Sequence, residues 1–193
     1  MERGSDILGG RVRWISRKVN ECARRSGPPE MPSLSQTTHE HHERIDPHVD
    51  RLPVLAEMIG RVTPAEFTAA LEDEHQFVVG QLLPHMEAIE TTLYGELERL
   101  MVRRHSMEPM RREHGQLRRL IETLGVYLEL ARNGCLGEAE GMGLRRVLYR
   151  LYSLLRVHLA EEELYLRVLD RNLTVEEKDA LARGIDHAAA EPV

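Results

Sequence analysis

The chain has 193 residues, of which 30% are charged and only 4% aromatic, and it carries a formal net charge of -6. That length holds one sizeable core plus tails, and the wealth of Leu, Arg and Glu favours helix over sheet. The acidic balance argues against nucleic acid as the main partner. No apolar run approaches the roughly 20 residues of a membrane span, and the opening residues lack a signal-peptide pattern.

Residues 1–35 contain Gly9-Gly10, Gly27-Pro28-Pro29 and Pro32 and read as a flexible N-terminal extension. Its basic residues Arg11, Arg13, Arg17, Lys18, Arg24 and Arg25 read as a solvated tail, with a local anionic contact as the alternative. Cys22 and Cys135 form no CxxC pair, which suggests a reducing compartment, and the expected location is cytoplasmic.

Four long helical patterns follow over residues 36–172. The first covers about 37–60 and ends near Gly60. Thr63-Pro64-Ala65-Glu66 is a capping box with proline at the first helical position; it opens the second, about 64–103, which should bend at Pro84. The third, about 107–133, stops at Asn133-Gly134, and the fourth covers about 141–171. Residues 173–193 read as a short helix, opened by Thr174-Val175-Glu176-Glu177, and a tail. Long amphipathic helices joined by short loops predict an all-α fold, an up-down-up-down four-helix bundle.

Side chains three, four or seven residues apart share a helix face. The fourth helix has a seam of Leu144, Val147, Leu148, Leu151 and Leu155, continued by His158, Glu162, Tyr165 and Leu169. Glu161 borders that face and Glu163 is turned away from it. The third helix reads Met110, His114, Leu117, Ile121, Leu124 and Leu128. The second reads Phe67, Leu71, Val78, Leu82, His85, Ile89 and Leu93. The first reads Ile45, Val49, Leu52, Leu55 and Ile59, with His41, His42 and His48 along or beside the line.

One inward histidine is ordinarily a hydrogen-bonded core residue. Four helices that each supply one point elsewhere, because isolated buried imidazoles would each cost a few kcal/mol in desolvation. A cation between them satisfies all at once. Imidazole nitrogen with carboxylate oxygen suits iron, manganese or zinc, and carboxylates shared between two metals suit a di-iron centre.

At these residues the chain resembles the hemerythrin-like, or HHE cation-binding, family. The resemblance is carried by HHERIDPHVDRL (41–52), LLPHMEAIETTLYGEL (82–97), MRREHGQLRRLIETL (110–124) and LLRVHLAEEELYLRVLD (154–170). It implies a bundle around a non-haem di-iron centre that binds or responds to dioxygen, peroxide or nitric oxide. Carried over by position, it implies ligands at His42 or His48, at His85, at His114, and at His158 with a bridging Glu162. The second helix departs from the family's HxxxE arrangement: Ile89 stands where the second bridging glutamate is expected. Glu87 looks too far round. Glu90 is the nearer substitute if Pro84 rotates the local turn, since one residue is roughly 100° of helix.

His39 and His105 are expected at helix ends in water and His187 in a polar tail. His75, roughly 15 Å up the helix from His85, is expected as a buried, hydrogen-bonded ring. Tyr94, Tyr149, Tyr152 and Tyr165 read as packing residues, with Tyr165 able to bond near Glu162. Two functions compete with the iron protein. One is a regulatory or interaction bundle whose metal site is degenerate at Ile89, with Trp14 among the basic residues as its contact surface. The other is a metal store or zinc-stabilised module. A mono-iron site or another divalent metal also fits the departure at Ile89.

Overall fold

The structure, a computed structural model, describes residues 34–101 and 106–190. Among them every regular element is helical: α1 (Leu34–Met58), α2 (Pro64–Phe77), a π-helical turn (Val78–Leu82), α3 (Leu83–Leu100), α4 (Glu108–Arg132), α5 (Glu138–Asn172) and α6 (Val175–Ala190). The expected extension lies outside the described residues, with its basic cluster, Trp14 and Cys22, except that Leu34 and Ser35 already belong to α1. His105 lies outside them too, as does the side chain of His187. No described helix is long and apolar enough to cross a membrane.

Local chemistry sets the boundaries. Thr63 Oγ1 accepts from the Glu66 backbone N–H at 3.3 Å while the Glu66 carboxylate accepts from the Thr63 N–H at 3.0 Å, closing the capping box of α2. Thr174 and Glu177 repeat the arrangement before α6, at 3.3 and 2.9 Å. Gly60 and Gly134 end their helices in the left-handed region, at φ 76° and 66°, where a Cβ would be penalised.

Arg145 of α5 reaches the end of α1. Its Nε donates to the Ala56 carbonyl at 3.0 Å and its Nη2 to the Ile59 carbonyl at 3.3 Å, satisfying acceptors that a helix C-terminus leaves open. Replacing Arg145 with alanine lowers stability by about 1–2 kcal/mol, read as a lower urea midpoint at unchanged slope. An unmoved midpoint would count against this cap.

Just before Pro84, where a bend is expected, the helix makes a π turn. Proline has no N–H to return to the carbonyl four residues back. Instead the Leu83 N–H bonds to the Val78 carbonyl, five residues back, and one π turn widens the helix.

α1 packs along α5, α5 against α4, and α4 against α2, while α6 covers α3 and touches α1. The apolar core has two parts. Leu52, Leu55, Leu71, Leu124 and Leu148 typify one; Ile89, Leu93, Tyr94, Met110, Leu166 and Leu169, with Ile185 of α6, typify the other. Apart from Glu74, the buried polar residues fall where one part gives way to the other. His114 lies between Met110 and Leu117 along α4, and His158 and Glu162 lie between Leu155 and Leu166 along α5. Apolar layers on both sides keep this zone from bulk water, so any unpaired polar atom within it is costly.

Candidate metal centre

Five side chains from four helices occupy the polar layer: His42 of α1, His85 of α3, His114 of α4, and His158 and Glu162 of α5. None is more than 5% exposed. They form two groups. In the first, His42 Nε2 lies 3.1 Å and His85 Nε2 3.6 Å from Glu162 Oε2. Those three residues can each offer a ligand atom within 4.8 Å of the other two. In the second, His114 Nε2 and His158 Nε2 are 2.9 Å apart, and the Tyr94 hydroxyl lies 3.2 Å from His114 Nε2. His158 and Glu162, one helical turn apart, connect the groups.

The far side of each ring in the second group is fixed. His114 Nδ1 lies 2.8 Å from Glu90 Oε1, and Arg118 holds that carboxylate at 3.1 and 3.3 Å. His158 Nδ1 lies 3.0 Å from Glu113 Oε2. An ionised carboxylate only accepts, which assigns the ring proton to Nδ1 and a lone pair to Nε2. Two lone pairs then face each other across 2.9 Å, an arrangement that needs positive charge between or beside them. The first group has a matching deficit: both ring nitrogens of His85, His42 Nδ1 and Glu162 Oε1 are buried without a hydrogen-bond partner.

A proton is poorly suited to fill that need. Burial, with the facing His158, lowers His114 to about 4, and burial lowers His158 as well. Burial alone would raise Glu162, but the hydrogen bond from His42, with the imidazoles of His85 and His158 close by, holds it well below the usual carboxylate range. Neutral His114 and His158 and an ionised Glu162 are in the protonation states that bind metals.

The metal-free chain should lose stability in acid. His114 titrates near 6.5 when unfolded and near 4 when folded, so between those values the unfolded chain binds more protons and stability falls as pH falls. The loss from this one group amounts to about 3 kcal/mol across that window. Urea midpoints of metal-free parent and His114→Gln should diverge accordingly, the variant having the flatter profile. Parallel profiles would contradict the burial argument.

Of the two α1 histidines, the structure brings His42 to Glu162 and turns His48 elsewhere. His48 Nδ1 lies 3.2 Å from Glu74 Oε2 and its ring stacks on Phe77 at 3.5 Å. Ile89 is fully buried. Glu90 sits on the Nδ1 side of His114, away from the paired Nε2 atoms, and Glu87 is exposed. Tyr165 packs against the second apolar part instead of bonding near Glu162; the hydroxyl at the histidines is that of Tyr94. His75 is half-buried, its ring laid against Gly125. The fully buried residue there is its neighbour Glu74, whose pKa burial raises. The spacing from Leu71 by three to Glu74 and by four to Val78 carried that signal. Glu90 and Tyr94 are also four apart, one stripe that meets His114 from both sides.

A family model described as the hemerythrin HHE cation binding domain matches residues 33–169. No curated protein and no solved structure matches the chain.

Proposed function

The chain belongs to the hemerythrin HHE cation-binding family, and from that premise we propose that it holds non-haem iron, as a di-iron centre, inside an up-down-up-down four-helix bundle. His42 and His85 take one ion, His114 and His158 the other, and Glu162 is shared. The reading rests above all on the His114–His158 pair, whose lone pairs converge at 2.9 Å with both Nδ1 atoms turned to carboxylates. Donor atoms around one ion, bound at about 2.0–2.2 Å, lie about 3–3.5 Å from one another. The 2.9–3.6 Å separations in the two groups match that spacing.

Within this reading Glu90 and Glu113 fix the tautomer and orientation of the second pair of rings, and Arg118 fixes Glu90. Glu162 offsets metal charge. The apolar layers exclude bulk water and limit access to small ligands. The iron supplies affinity for dioxygen, peroxide or nitric oxide, and the chain binds or responds to one of these.

Ile89 favours a second reading: one cation at His42, His85 and Glu162, in a bundle with a regulatory or structural role. Chain stripped of metal and reloaded with ferrous salt separates the two. The first reading requires about two irons per chain and an absorption spectrum that changes with nitric oxide, dioxygen or peroxide. One metal per chain, or a preference for zinc with no response to these ligands, supports the second.

A further inference from the structure

The second group has fewer donors than an iron needs. His114 and His158 bring two neutral imidazoles, and Glu162 is shared with the other group. Ile89 brings nothing to the centre. One more protein oxygen lies at this spot, on Tyr94. The side chain is 1% exposed, and its hydroxyl is 3.2 Å from His114 Nε2, the nitrogen that also faces His158 Nε2.

Tyr94 therefore spends its hydrogen bond on a lone pair aimed at the centre, not on water or a surface acid. Tyr149 does the opposite, donating to exposed Glu57 at 2.9 Å. The 3.2 Å separation is also the spacing of two donors on one ion. The backbone supports the placement: Glu90 and Tyr94, one turn apart on α3, reach opposite nitrogens of the same ring. α3 thereby locks both His114 and the phenol oxygen beside it.

We propose that Tyr94 is itself a ligand of the ion held by His114 and His158, its phenolate oxygen supplying the negative charge that Ile89 cannot. The proposal rests on the iron-binding reading above. On coordination the O–H bond breaks, the oxygen keeps the electron pair and bonds to the metal, and the proton passes to water. One phenolate, with the shared carboxylate, offsets the charge of this half of the centre. Hard anionic oxygen also suits ferric iron.

The test uses the full chain loaded with ferrous salt and oxidised in air, compared with Tyr94→Phe, which keeps the ring in its packing and removes only the hydroxyl. Metal content, helical circular dichroism, visible absorption and resonance Raman spectra are recorded on both. The parent should show a visible charge-transfer band carrying tyrosinate ring modes. Tyr94→Phe should lose the band entirely while remaining folded and keeping iron at His42, His85 and Glu162, and Tyr165→Phe should leave the band unchanged. An iron-loaded parent without tyrosinate modes, or modes that persist in Tyr94→Phe, overturns the assignment and leaves the iron-binding reading intact. A parent that takes up no iron overturns both.

Discussion

Replacing Glu162 with alanine should weaken iron binding by more than about 100-fold. Losing a group that only orients a ligand typically costs 10–100-fold in metal affinity, and Glu162 stands closer to the chemistry than that. It is buried, held ionised, and within 3.1 and 3.6 Å of two histidines on different helices. Its removal leaves four imidazoles facing a cation with no carboxylate among them. Competition against a chromogenic chelator reads the change, and helical circular dichroism verifies that the variant is folded. An affinity within tenfold of the parent would mean that Glu162 serves packing alone.

Ile89→Glu should produce the largest change in stability, and its sign should depend on metal. Ile89 is fully buried, in the apolar part that includes Leu93, Leu97 and Leu166. In the metal-free chain an unpaired carboxylate there costs about 3–5 kcal/mol, a large share of the 5–15 kcal/mol that ordinarily holds a domain. Iron should restore much of that loss, because a cation that binds only the folded state adds about 4 kcal/mol at a thousandfold excess over its dissociation constant. Thermal unfolding with and without ferrous salt, in parent and variant, gives four midpoints. The expected result is a deep drop without metal and a small one with it. An equal drop in both conditions would show that position 89 does not address the centre.

These variants also mark how far the sequence could be read. The leucine seams and the inward histidines of α3, α4 and α5 were legible, because helical periodicity fixes a face whatever lies opposite. Periodicity could not choose between His42 and His48. Each stands three residues from Ile45, on either side, so both flank the buried line equally; Glu162 lies opposite one and Glu74 opposite the other. The bond from Glu113 to His158 was hidden for a related reason. It crosses from α4 to α5 and depends on how those helices slide along each other. The bond from Glu90 to His114 likewise depends on the position of α4. Tyr94 packs in the second apolar part, as its place on the helix predicts; only the neighbour of its hydroxyl separates it from the other tyrosines.

The most direct measurement is an anomalous difference map, at the iron absorption edge, from a crystal of the chain loaded with ferrous salt. A cation held between the helices requires peaks among His42, His85 and Glu162 and between His114 and His158. A well-ordered crystal with peaks only at surface carboxylates, or with none, would contradict that.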